Sequence, residues 1–197
     1  MSSQRDLAVF ILAGGKSTRM GQEKGLVELK GKPMIQHVLE ATAPLGLSQH
    51  IIGHHPGYAD MGVPVIPDLI PNCGPLGGIY TALTYCRCSH AIIFSCDSPL
   101  IQTGTINKLL SKECTGIVIG MISGSLYPFP GIYPVSLLPQ VLSSLERQEY
   151  KVQGFIEGQT HQVVDLATIS TDPHLEFTNV NTLEEVRTFS DFPEEKN

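Results

Sequence analysis

Lys16, Arg19 and Lys24 are spread through a loop punctuated by Gly14, Gly15, Gly21 and Gly25, directly after the apolar run Leu7 to Leu12. Glycines let main-chain N–H groups approach an anion closely, and separated cations can grip different oxygens of one polyphosphate. The pattern reads as a phosphate-binding loop. Gly15-Lys16-Ser17 is also the ending of a P-loop, but Gly-x-x-x-x-Gly-Lys-Ser/Thr requires its first glycine at position 10, which is Phe10. That residue lies inside the apolar run and speaks against a P-loop ATPase. The dinucleotide fingerprint GxGxxG fails as well, because Gly14 and Gly15 are adjacent.

Polyphosphate chemistry calls for a divalent ion, and Mg²⁺ is usually held by one or two carboxylates with phosphate and water completing its shell. Asp97 is the candidate, since it ends the apolar run His90 to Cys96 and would emerge at the carboxyl edge of a sheet. A role capping the turn Asp97-Ser98-Pro99-Leu100 is compatible with that position. Asp68 ends another run and precedes Pro71 to Gly78, where Gly74, Gly77 and Gly78 could admit a flat base or a ribose. His54-His55 reads as an exposed loop pair, and no Ser-His-Asp or Cys-His spacing suggests a nucleophile.

The elements that must position these residues follow from apolar patterning. Leu7 to Leu12 reads as a strand buried on both faces, and Ile51-Ile52, Val63 to Ile66, Ala91 to Phe94 and Gly116 to Met121 read as further strands. Helical patterns separate them over Pro33 to Ala43, Leu76 to Tyr85, Thr103 to Leu110 and Ser136 to Leu145. This alternation predicts an open α/β sheet with helices on both faces. Tyr127 to Pro134 carries three prolines and predicts an edge strand or extended loop. His161 to Asp165 predicts a strand. Asn181 or Thr182 is expected to cap a last helix running through Phe189, and residues 191–197 a frayed tail.

The chain of 197 residues, 42% hydrophobic and 16% charged, is expected to form one domain over residues 1–197. No run approaches a membrane span, and Met1 to Asp6 lacks the pattern of a signal peptide, so a cytoplasmic protein is expected. The five cysteines (Cys73, Cys86, Cys88, Cys96, Cys114) then read as reduced thiols. A net charge of −6 argues against nucleic acid as a partner. Yet Lys16, Arg19, Lys24, Lys30 and Lys32, out of thirteen Lys and Arg in all, crowd into residues 16–32 and suggest a local anion site.

Four blocks in order, "LAGGKSTRMGQEKGLVELKGKPMIQHV", "PDLIPNCGPLGGI", "FSCDSPLI" and "FTNVNTLEEV", resemble the molybdenum cofactor guanylyltransferases of MobA type. The resemblance runs from residue 7 to about residue 189. It implies a three-layer α/β/α Rossmann-like nucleotidyltransferase fold with a mostly parallel sheet. The implied reaction is Mg²⁺-dependent transfer of GMP from GTP to molybdenum-molybdopterin, with release of pyrophosphate. By motif, Leu12, Ala13, Gly14, Gly15 and Gly74 would contact the nucleotide, Arg19 and Lys24 its phosphates, and Asp68 the guanine or ribose. Asp97 would meet both GTP and Mg²⁺, with Asn181 as a second metal ligand or water holder. Handover of the pterin from other proteins of cofactor synthesis is likewise implied by resemblance. The nearest rivals are a cytidylyl- or sugar-phosphate-type nucleotidyltransferase, and a noncatalytic nucleotide-binding protein. Glu23 stands where the family commonly has Asp, Gly53-His54-His55 lacks an asparagine the family often shows, and Tyr150-Lys151 replaces a basic pair.

Overall fold

The computed structural model describes residues 6–14, 21–112 and 116–190. β1 (Leu7–Leu12) is the apolar run ahead of the glycine loop. Its side chains alternate between two cores, Val9 and Ile11 in one, and Ala8, Phe10 and Leu12 in the other. Because both faces are covered, neither set can be polar, and the strand appears in the sequence as an unbroken apolar stretch.

A short hairpin of β2 (Glu28–Leu29) and β3 (Lys32–Pro33) leads into α1 (Met34–Thr42). Then follow β4 (Gln49–Ile52), β5 (Val65–Ile66), α2 (Gly74–Tyr85), β6 (His90–Ser95) and α3 (Thr103–Leu110). The rest comprises β7 (Ile117–Ile122), β8 (Ser125–Pro134), α4 (Leu138–Glu146), α5 (Val152–Glu157), β9 (His161–Asp165), α6 (Pro173–Glu176) and α7 (Leu183–Ser190). The main sheet has seven strands in the order β5-β4-β1-β6-β8-β7-β9. β1 runs parallel to β4 and β6, β4 to β5, and β7 to β9. Ile35 and Val38 of α1 and Ile106 and Leu109 of α3 pack on one face, while Leu76 of α2, Val141 of α4 and Phe155 of α5 pack on the other. The result is the expected three-layer α/β/α arrangement with a mostly parallel sheet.

Tyr127 to Pro134 departs from expectation. It belongs to β8, which lies inside the sheet, antiparallel to both β6 and β7. The prolines are tolerated because of where they fall. The pairing register with β7 slips between Val118 and Gly120, opposite the segment holding Pro128 and Pro130, and Pro134 ends the strand. Central pairing is carried by Ile132, which faces Ile92 of β6 and Val118 of β7.

From β1 the chain moves outward through β4 to β5, then returns to lay β6 on the other side of β1. The connection leaving β1 leads to α1 on one face, whereas the one leaving β5 leads to α2 on the other, so a crevice opens at the carboxyl ends of β1, β4 and β5. A small third core of Val27, Leu29 and Met34 with Val180 and Val186 fastens the segment after Lys24 to the start of α7. Thr182 caps that helix: its Oγ1 accepts from the Glu185 N–H at 3.2 Å, and Glu185 Oε2 accepts from the main-chain N–H groups of Asn181 and Thr182 at 2.6 and 2.9 Å. This reciprocal pair is a capping box. Thr182→Ala is expected to cost about 1 kcal/mol, read as a lower denaturant midpoint, and an unchanged midpoint would mean that the cap contributes nothing. Among the described residues no helix is long and apolar enough to cross a membrane.

Candidate active site

The carboxyl ends of β1 and β6 are tied together, with Cys96 N donating to Leu12 O at 3.0 Å and Ala13 N donating to Ile52 O of β4 at 2.8 Å. Leu12 and Ala13 thus remain in the ladder, and the chain leaves it at Gly14. A Cβ built on Gly14 would lie 2.7 Å from Asp68 Oδ2. A side chain at that position would push the carboxylate aside. Asp68 follows β5 and is half-buried; burial pushes its carboxyl above the usual range, and the charge of His54 pulls it back in part.

Leu12, Gly14, His54, Asp68, Cys73 and Gly74 help to line a cavity of about 1150 Å³. That size admits a nucleotide. The amino end of α2 borders it, with Gly74 in a left-handed conformation (φ 59°) at the first helical position. Helix starts present unpaired N–H groups and the positive end of the peptide dipoles, both suited to an anion. α2 lies tight against β1, since a Cβ on Gly78 would approach Leu12 Cδ2 to 2.9 Å.

A second cluster stands beside the cavity. Lys24 Nζ donates to Asp97 Oδ2 at 2.7 Å and to Asn181 Oδ1 at 2.6 Å. Asn181 is oriented by donating its Nδ2 to Asn179 O at 2.9 Å, while Asp97 O accepts from Val180 N at 2.8 Å. Asp97 Oδ1 is buried and accepts from no group among the described residues. A buried carboxylate oxygen without a donor is costly unless a cation meets it. Asp97 Oδ2 and Asn181 Oδ1, from separate segments, converge on the Lys24 ammonium, which leaves the buried Asp97 Oδ1 as the oxygen that suits a hard divalent ion. No group of three or more His, Cys, Asp or Glu among the described residues could hold a metal, so phosphate and water would have to supply the remaining ligands. The cavity and the cluster adjoin through Glu23, which lines the cavity and precedes Lys24.

Of the residues expected from the sequence, Leu12, Gly14, Asp68 and Gly74 meet at the cavity, and Lys24, Asp97 and Asn181 at the cluster. Ala13 is buried behind them. Gly15 and Arg19 lie outside the described residues. His54 is exposed as expected, yet on the cavity wall. Not every cation of residues 16–32 serves an anion site, because Lys32 pairs with Glu40 on the surface at 2.9 Å. Asp97 spends its charge on Lys24, with no bond from its carboxylate to the Ser98-Pro99 turn among the described contacts. Sequence reasoning missed Tyr58, which is wholly buried against this site, because a lone aromatic in a short turn has no periodicity to mark it.

Residues 9–163 match the family model of the MobA-like NTP transferase domain. The "Probable molybdenum cofactor guanylyltransferase" of Flavobacterium johnsoniae is 37% identical over 182 residues, 91% of this chain and 94% of its own length. The "Molybdenum cofactor guanylyltransferase" of Cupriavidus pinatubonensis is 30% identical over 200 residues, 95% of this chain and 98% of that one. Among solved structures, molybdopterin-guanine dinucleotide biosynthesis protein A of Archaeoglobus fulgidus is similar with a TM-score of 0.79 at 21% identity, over 93% of this chain and 97% of the other. That last likeness is one of fold.

Proposed function

Because the chain belongs to the MobA-like NTP transferases, and within them to the molybdenum cofactor guanylyltransferases, we propose that it transfers GMP from GTP to molybdenum-molybdopterin and releases pyrophosphate. The observation that carries the reading is the convergence of Lys24, Asp97 and Asn181 beside a nucleotide-sized cavity at the carboxyl ends of β1, β4 and β5.

GTP lies in the cavity with its base toward Asp68. A carboxylate only accepts hydrogen bonds, and the Watson–Crick edge of guanine offers it two adjacent donors, N1–H and the N2 amino group. Gly14 brings its main-chain N–H to the phosphates and Lys24 supplies positive charge; Gly15 and Arg19, outside the described residues, are assigned to the same phosphates by the motif alone. Asp97 and Asn181 would hold Mg²⁺, which would neutralise charge on the triphosphate. A terminal phosphate oxygen of the pterin forms a bond to the α-phosphorus as the bond from the α-phosphorus to the bridging oxygen breaks, and pyrophosphate leaves with that electron pair. Such a displacement asks the protein for alignment and charge neutralisation more than for an acid and a base. The reading places the reaction in the cytoplasm, in keeping with the free thiols of Cys73, Cys86, Cys88 and Cys96.

Thermal unfolding with GTP, CTP, UTP or ATP and Mg²⁺ tests the reading. A nucleotide at 100 times its Kd adds about 2.7 kcal/mol of stability, and GTP is expected to give the largest shift. Selective stabilisation by CTP or UTP would overturn the guanylyl assignment.

A further inference from the structure

Tyr58 sits in the 3-10 turn Pro56–Met61 that follows β4, and it is 0% exposed. Its hydroxyl lies 2.6 Å from Glu23 Oε1 and 3.3 Å from Ala13 O. A phenol has one proton to give, and the short contact to a carboxylate takes it. Burial pushes the phenol far above its ordinary range, with Cys96 and Glu23 acting in the same direction, so the group remains a donor at working pH.

What Tyr58 touches is the chain on both sides of Lys24. Glu23 opens the short 3-10 turn Lys24–Leu26, but its side chain makes no capping bond to that turn and is committed to Tyr58. Gly25 follows Lys24, and a Cβ there would stand 2.6 Å from the Tyr58 hydroxyl. On the ring's other side, a Cβ on Gly53 would lie 3.3 Å from Tyr58 Cε2 and 3.4 Å from Ala13 O. The ring is therefore held between the ends of β1 and β4 and the two residues that flank Lys24. A buried tyrosine whose only task was to fill the core would not need to meet both neighbours of the cation.

We propose that Tyr58 is a positioning residue for the transfer reaction, fixing through Glu23 and Gly25 the main chain from which Lys24 reaches Asp97, Asn181 and the phosphates. The proposal rests on the function given above. Lys24 is a long, flexible side chain, so the place where its stem begins decides where its ammonium can stand. Displacement of a reacting-site group by about 1 Å can cost on the order of 10²-fold in rate.

The test is steady-state pyrophosphate release with GTP, Mg²⁺ and molybdenum-molybdopterin, well below the unfolding temperature of each variant. Tyr58→Phe is expected to lower kcat by about 10- to 100-fold, with a smaller change in KM for GTP, because the misplaced contact is one made with the transition state. Glu23→Ala should match it, and Glu23→Gln, which keeps an acceptor for the hydroxyl, should lose less. If both residues act through one bond, Tyr58→Phe/Glu23→Ala is no slower than the worse single variant. Unchanged kcat with only a lower Tm would make Tyr58 a core residue and overturn the proposal, as would losses that multiply in the double variant. Should Tyr58→Phe fail to fold, the Glu23 pair decides: equal losses in Glu23→Ala and Glu23→Gln overturn it. A wild-type enzyme that releases no pyrophosphate from GTP overturns the function and the proposal together, whereas normal wild-type turnover with an unaffected Tyr58→Phe overturns the proposal alone.

Discussion

Asp97→Ala is expected to reduce GTP-dependent pyrophosphate release by about 10²-fold or more while the protein stays folded. Asp97 supplies the one carboxylate in the cluster, its Oδ2 on Lys24 at 2.7 Å and its Oδ1 buried without a donor. Taking it away leaves Asn181 as the only protein oxygen on Lys24 among the described contacts, too little to gather positive charge against a triphosphate. Stability should suffer little. The Asp97 and Lys24 side chains are 18% and 20% exposed, so water reaches the freed ammonium in part, and the substitution also removes the buried Oδ1 that has no donor. The main-chain bond from Val180 N to Asp97 O survives the substitution and keeps the loops joined. Pyrophosphate release measured beside a denaturation curve separates the two effects. Near-normal turnover in Asp97→Ala would remove Asp97 from the mechanism, and a collapse of stability would make the pair structural.

How much of this was legible depends on how local each signal is. β1 and β6 could be read from the sequence because a strand covered on both faces must be apolar at every position, and Thr103–Leu110 because one face of a helix repeats with its own period. Asp97 followed from its place at the end of such a strand. β8 was misplaced because proline content is a local quantity, whereas tolerance of proline depends on the register slip opposite Gly120 and Val118. The cluster itself joins Lys24 to Asp97 and Asn181 across 73 and 157 positions of chain. No spacing rule spans such gaps: Lys24 came from the glycine loop, Asp97 from its strand end and the metal role of Asn181 from motif resemblance, and the third core of Val27, Leu29, Val180 and Val186 is what brings them together. The pairing of Glu23 with Tyr58 was missed for the same reason: the sequence marks Glu23 only as a departure from the family's Asp and Tyr58 not at all, until the fold places them 2.6 Å apart.

Gly14→Ala should weaken GTP binding by about 10-fold or more with little change in stability. Gly14 is not among the glycines with positive φ, so its main chain can carry an alanine without strain. The new methyl would instead stand 2.7 Å from Asp68 Oδ2, closer than real contacts allow, and the flexible carboxylate end must swing aside. The fold gives easily at that point, and the group displaced is the one proposed to read the base. A hydrogen bond to a charged acceptor contributes about 1.5–3 kcal/mol, so displacing Asp68 from guanine accounts for a loss of that order. Calorimetric titration of Gly14→Ala, Asp68→Ala and the double variant with GTP and Mg²⁺ distinguishes this route from a direct clash with the nucleotide. If the methyl acts through Asp68, adding Gly14→Ala to Asp68→Ala costs nothing further, because the carboxylate it displaces is gone. A double variant weaker than Asp68→Ala would put the methyl against the nucleotide itself, and normal affinity in Gly14→Ala would take Asp68 away from the base. If Asp68 reads the base, discrimination of GTP from ATP falls in each of these variants, since adenine offers that carboxylate no pair of adjacent donors on its Watson–Crick edge.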